Sequence, residues 1–381
     1  MKTWVARAGV AAARAAKNLL TAAFCCCGGA RLVRWLARRT FPGAVRVLYC
    51  HDIRALESES AGAPGALTAA EFERRLRHIK RHYGFLSIEQ AVSRLRGAAT
   101  DHDLPVMLTF DDGYRSFARL AYPILREHAI PVVLCVTTGT VGERGLWTDE
   151  VREAIQRALF ATVTLPLSPA RLKLGDAASR AAAAEALIAE LKRLPDRERR
   201  RAVRELCDRA GPPRDRRRKM LDWEELRQLA RDALVAIGAH SVSHPILSRM
   251  EEPEAEAEIR GSRQELEREL GIPITVFSYP NGRKEDFTEA CQQMAAAAGY
   301  SIAFSTMGGL AQPGCDLYAI PRASFAWEPW PRFVLRMAGL DDLLARAREL
   351  RRRRRAGTGE SPLASEVQMH SRSLAPDARE H

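Results

Sequence analysis

Short apolar runs alternate with longer amphipathic stretches along this chain from residue 45 onward. The runs VRVLYCH (45–51), VMLTF (106–110), PVVLCVTT (131–138), LVAIGAH (234–240), ITVFSYP (274–280) and SIAFST (301–306) read as buried strands. Between them, TAAEFERRLRHIKRHY (68–83), FARLAYPILREH (117–128) and EEPEAEAEIRGSRQELEREL (251–270) have helical spacing. Strands alternating with helices predict parallel β-α units and an α/β fold built on a parallel sheet or barrel. In such folds chemistry gathers where strands end and loops begin.

One stretch breaks the rhythm. Residues 143–220 are rich in Ala, Arg and Leu and contain no convincing strand, so they are expected to be a helical insertion. Residues 346–381 open on a run of arginines and continue with few apolar residues, which predicts a basic, disordered tail. At the other end, residues 1–41 form a separate, weakly apolar segment. Its run NLLTAAFCCCGGA (18–30), between Lys17 and Arg31, is short for a membrane span. A signal h-region, an interfacial amphipathic helix and a packed helix all fit, and a membrane-surface segment is favoured.

The chain has 381 residues, 46% apolar and 28% charged, enough to bury a large globular core. Its net charge of +12 would suit nucleic acid or an anionic membrane. The excess, however, lies in arginine runs such as RDRRRK (214–219) and RRRRR (351–355), without interleaved aromatics for base stacking, so no nucleic-acid partner is expected. Of eight cysteines, Cys25, Cys26 and Cys27 are consecutive and the others are scattered, which gives neither a disulfide framework nor a zinc pattern.

Two adjacent carboxylates, Asp111 and Asp112, follow VMLTF directly. Asp-Asp-Gly is ordinary turn chemistry, with Gly113 free to take positive φ. The sharper reading gives one carboxylate a metal and the other a proton, and it requires histidines elsewhere. His240 and His244 supply them just after LVAIGA, where Gly238 and Ser241 permit a tight turn. His78 and His82 have the same spacing but flank a helix whose apolar stripe is Phe72, Leu76, Ile79 and Tyr83, so they are read as a surface pair. Two imidazoles and one carboxylate make a half-open set suited to one divalent ion, Zn2+ first, with Fe2+, Co2+ or Ni2+ as alternatives.

Thr109-Phe110-Asp111-Asp112-Gly113 followed by His240-Ser241-Val242-Ser243-His244-Pro245 resembles the paired motifs of the polysaccharide deacetylases, carbohydrate esterase family 4, also called the NodB homology family. The resemblance spans roughly residues 42–345 and implies a distorted (β/α) barrel carrying the helical insertion. It implies metal-dependent removal of N-acetyl, or sometimes O-acetyl, groups from a sugar polymer or glycolipid of the bacterial envelope. By the same likeness Asp112, His240 and His244 are metal ligands and Asp111 is the general base.

Two departures stand out. FSYPNG (277–282) lies where many family members carry an arginine, and Ser278 takes that arginine's place. Arg322 is a candidate substitute, with an ordinary surface arginine as the other reading. The segment resembles the Tyr-Pro-x-Gly form of one branch, by which Tyr279, Pro280 and Asn281 line the substrate groove, the Asn281 amide facing the oxyanion, with a simple strand-ending turn as the other reading. Arg322 is grouped with them on the substrate side. Further, the family's Leu-x-His source of the general acid is missing. His51, ending VLYCH, resembles the N-terminal Tyr-His element of the branch related to biofilm-polysaccharide deacetylases, where a permuted barrel lets it act as the acid. A buried structural histidine is the alternative.

The expected protein is thus a deacetylase of an acetylated carbohydrate or glycolipid, associated with the inner membrane, or cytoplasmic as the alternative. A non-catalytic carbohydrate-binding protein that keeps the fold is the competing reading.

Overall fold

Val106–Phe110 is buried at all five positions, and it is an interior strand of the sheet that organises the chain. The computed structural model describes residues 23–24, 27–55, 67–98, 103–143, 145–213 and 217–357. Among these, β1 (Arg46–Cys50), the small pair β2 (Ile53–Arg54) and β3 (Leu67–Thr68), β4 (Val106–Phe110) and β5 (Val132–Val136) come first. The hairpin β6 (Thr162–Thr164) and β7 (Arg171–Lys173) follows, then β8 (Val235–Ala239), β9 (Val276–Ser278), β10 (Ile302–Phe304) and β11 (Ala323–Ser324). Seven of them make one sheet in the order β10-β9-β8-β5-β4-β1-β11, every neighbouring pair parallel.

The two edges meet. Ile320, three residues before β11, makes a parallel bridge to Phe304 of β10, while Ala323 and Ser324 pair with β1. One short segment therefore touches both ends of the sheet and closes it into a distorted barrel. Side chains such as Val47, Met107, Val133, Val276 and Phe304 fill its core, each worth about 1.5–3 kcal/mol of transfer free energy when fully buried. All six expected strands form, as do the helices Ala69–His82 and Glu252–Leu270. The expected 117–128 helix instead opens with a π turn, Phe117–Ala121, before Tyr122–Glu127.

The insertion differs from expectation in one respect, because it contains the antiparallel hairpin β6–β7 beside the helices Trp147–Arg157, Ala177–Leu191 and Asp196–Ala210. These helices share an apolar cluster that includes Val151, Ile155, Leu187, Leu191 and Val203. A chain segment with its own buried cluster can be accommodated between β5 and β8 without disturbing the barrel core.

Residues Phe41–Glu328 form one compact unit, whereas the helices Gly29–Thr40, Trp330–Met337 and Leu340–Gly357 belong to another. In the second unit Val33, Leu335 and Ala338 pack together. The expected barrel span of 42–345 therefore runs past the end of the first unit. Residues 346–357, expected to be disordered, are helical, since the arginine run continues the Leu340–Gly357 helix. The rest of that expected tail, and most of the apolar run 18–30, lie outside the described residues. Among the described residues no helix is long and apolar enough to cross a membrane.

Candidate active site

The C-terminal ends of β1, β4, β8 and β9 deliver the candidate residues to one end of the barrel. β1 and β4 are in register, Cys50 opposite Phe110, and the Asp111 amide donates to the Cys50 carbonyl at 2.9 Å. His51 and Asp111 thus leave adjacent strands at the same level. His240 follows β8 directly, its amide bonded to the Val136 carbonyl of β5 at 2.8 Å.

Left-handed backbone marks these loops. Five non-glycine residues have positive φ among the described residues, and four of them, Asp112 (76°), Ser241 (63°), His244 (54°) and Asn281 (59°), belong to the expected motifs. Such conformations cost of order 1–3 kcal/mol each and persist only where surrounding bonds over-determine them. Here they do. Ser241 Oγ accepts the His244 amide at 3.1 Å, and one Glu258 oxygen accepts the Val242 and Ser243 amides at 2.8 and 2.7 Å. The other Glu258 oxygen accepts Ser243 Oγ at 2.6 Å. Gly139 approaches so closely that a Cβ there would meet the Val242 carbonyl oxygen at 2.7 Å.

Asp112, His240 and His244 are the one group among the described residues whose side chains could hold a metal ion, one ligand atom from each lying within 4.8 Å of the others. Both imidazole Nε2 atoms sit 3.4 Å from Asp112 Oδ1. His240 Nδ1 is 2.7 Å from the Ser278 carbonyl. A carbonyl only accepts, so Nδ1 carries the proton and Nε2 presents its lone pair towards Asp112. His244 is pushed down to about 3, above all by burial, which leaves it neutral. Burial opposes the charge of Asp112, but the nearby histidines hold the carboxyl below its usual range. Asp112 Oδ1 is buried without a hydrogen-bond donor. An orphaned carboxylate oxygen facing two imidazole nitrogens fits a cation, because a buried acceptor left unpaired costs about 1–3 kcal/mol.

Asp111 has a different partner. Arg322 Nη1 and Nη2 donate to its two oxygens at 2.9 and 2.7 Å, a bidentate pair buried on both sides. Burial works against ionisation of Asp111, and the Arg322 charge outweighs it, holding the carboxyl below its ordinary value. Arg322 also donates to Thr109 Oγ1 at 2.8 Å, Ser278 Oγ at 2.8 Å and the Ser305 carbonyl at 2.9 Å. All five of its N–H groups are thereby used. This corrects its place among substrate-side residues, since no donor remains for a substrate. It also explains the serine at 278, whose hydroxyl receives the arginine that the sequence motif lacks.

Tyr279 needs a similar correction. Its ring is fully buried, stacked on Phe287 with centroids 4.0 Å apart, so its side chain belongs to the core and not to a groove. Pro280 is buried as well, while Asn281 is partly exposed with its side-chain Nδ2 buried and unpaired. His51 is half-buried, its ring edge-on to Tyr49, and it acts electrostatically on both Asp111 and Asp112.

Several residues at the site carry no motif signal. From the insertion, Trp147 Nε1 donates to the His244 carbonyl at 3.0 Å, and Arg200 reaches Ser243 Oγ at 3.1 Å and Glu258 at 3.4 Å. Tyr114, next to Gly113, donates to Asp149 at 2.7 Å. Lys192, its charge disfavoured by burial, acts on His244 and feels Asp112. Nothing in the local sequence marks Trp147, Lys192 or Arg200 as part of the site.

No curated protein sequence matches the chain. Among solved structures, it is similar to the Streptococcus pyogenes deacetylase PplD in complex with acetate, at 19% identity over 77% of this chain and 98% of that one, with a TM-score of 0.52. It is similar also to IcaB from Ammonifex degensii, at 18% identity, 77% and 97% coverage and a TM-score of 0.52. Identities this low establish the shared fold. The sequence profile described as polysaccharide deacetylase matches residues 98–303, more than half of the chain and inclusive of both the Asp-Asp and the His-x3-His segments. The chain belongs to the polysaccharide deacetylase family.

Proposed function

We propose that the protein is a metal-dependent hydrolase that removes N-acetyl, or in some substrates O-acetyl, groups from a carbohydrate polymer or glycolipid of the bacterial cell envelope. The observation that carries this reading is the buried Asp112–His240–His244 group beside an aspartate, Asp111, held by a fully committed arginine. Asp112, His240 and His244 would hold one divalent ion, with Zn2+ fitting two imidazoles and a carboxylate best. When bound, the ion supplies Lewis acidity at the acyl oxygen and makes water more acidic.

The chain's own residues do the rest. Asp111, kept ionised by Arg322, accepts the proton of the attacking water. His51, leaving the neighbouring strand at the same level, donates a proton to the departing amine nitrogen, a role open to an imidazole N–H. Asn281 brings a donor towards the substrate side of the loop after β9. The similar Streptococcus deacetylase was solved with acetate, the product expected of this reaction.

The test is acetate release from chitooligosaccharides, poly-N-acetylglucosamine, peptidoglycan and lipid-linked sugars, with and without added Zn2+, Fe2+, Co2+ or Ni2+. Metal-stimulated release from one class is expected. Tight sugar binding with no release under any metal would instead identify a carbohydrate-binding protein on this fold.

A further inference from the structure

We propose that the outward face of the Gly29–Thr40 helix docks the protein on an anionic lipid surface. The helix buries Gly29, Val33 and Ala37, one residue per turn, and Val33 packs against Leu335 and Ala338. The face next to that row keeps large apolar groups in solvent: Leu32 is 55% exposed, Trp35 49% and Leu36 41%. Positions 32, 35 and 36 fall within about 100° of the helix circumference, so they form one stripe. Arg39 lies in the same arc with its guanidinium 4.2 Å above the Trp35 ring, and Arg31 and Arg38 run alongside. Isolated exposed leucines are common on soluble proteins, but a tryptophan and two leucines sharing one helix face are a contiguous patch that calls for a partner.

Charge decides which partner. Residues 1–51 contain nine Lys or Arg and no Asp or Glu, the first acid being Asp52. A second copy of the chain would bring the same cations against themselves. Nucleic acid would put phosphates against the leucines and tryptophan at the centre of the stripe, which offer no charge. An anionic bilayer surface accepts both parts at once, since its acyl boundary takes Leu32, Trp35 and Leu36 while its headgroups pair with the exposed Arg31 and Arg39. Indole rings favour that boundary, and arginine stems can bury their methylenes while keeping the guanidinium among headgroups.

The inference is independent of the catalytic reading, since a chain inactive on every sugar still tests it. Vesicles of neutral phosphatidylcholine, and of phosphatidylcholine with one-third phosphatidylglycerol, are floated with the full chain at low and high salt. Binding at least tenfold stronger to the anionic vesicles, falling as salt rises, is expected. The exposed triple variant Leu32→Ser, Trp35→Ser, Leu36→Ser should lose binding at least tenfold with an unchanged melting curve. The Arg31→Glu, Arg39→Glu variant should lose the preference for anionic vesicles. Equal binding to both vesicle types, or a triple variant that floats as well as the parent, would overturn the proposal. So would a triple variant that converts a dimer into a monomer without altering flotation, or loss of DNA binding in parallel with vesicle binding.

Discussion

Arg322 has no donor left over, and that fact governs what its replacement should do. Exchange for Met removes the positive partner of a fully buried carboxylate, which costs about 3–5 kcal/mol when the other member of such a pair stays behind. Because Arg322 holds Asp111 below its ordinary value, its loss raises that value. A lowered native pKa contributes stability above the unfolded value, near 3.9, and that contribution disappears as pH falls through the native value. Arg322→Met should therefore melt earlier at neutral pH and move the acidic limb of the rate profile upward. A variant with unchanged melting and pH profile would mean that Asp111 does not depend on Arg322. His51 makes a separate prediction: His51→Ala should keep its metal and fold but lose most of its acetate release. Unchanged turnover would assign the proton donor elsewhere.

At the scale of elements, the insertion and the Glu252–Leu270 helix hold the His240–His244 loop from outside. Glu258, 7% exposed, places one oxygen between two backbone amides of that loop. Gln at this position conserves volume but offers only one acceptor oxygen and turns the other arm into a donor, leaving loop N–H or hydroxyl groups mismatched at about 1–3 kcal/mol. Glu258→Gln should release bound metal to a chelator several-fold faster than the parent, while far-UV spectra stay the same. Trp147→Phe, which keeps the ring and deletes only the donor to the His244 carbonyl, should do so more weakly. If both retain metal like the parent, the outer contacts fill space and do not position ligands. None of this was legible in the periodicity. Glu258 sits in a helix dense with acids, and only its burial against the loop distinguishes it from Glu254 or Glu265.

For the whole molecule, the three candidate ligands come from two distant parts of the chain, so a metal that joins them binds the folded state and not the unfolded one. Free Zn2+ at 100 times its Kd should add about 2.7 kcal/mol of stability. A rise in melting temperature on Zn2+ addition is expected for the parent and not for the His240→Ala, His244→Ala double variant. An equal rise in both would place the metal elsewhere.

Six of the sheet's strands, their parallel arrangement and the Asp-Asp and His-x3-His pairs could be read from the residues alone, because burial on a parallel sheet requires short continuous apolar runs and a metal set requires few residue types. Closure of the barrel could not, since β11 is two residues long and Ile320 meets Phe304 through backbone atoms that any sequence carries. The hairpin β6–β7 escaped for a different reason: Thr162–Thr164 buries only Val163 and Arg171–Lys173 buries none of its residues, so neither leaves a continuous apolar run. Arg322 was visible as a substitute arginine, yet its side was misjudged, because one-dimensional position cannot say whether a guanidinium lies above a carboxylate or beneath it. Composition and periodicity act along the chain. The pairing of Asp111 with a residue 211 positions away is decided only when the sheet curls and brings its two edges together.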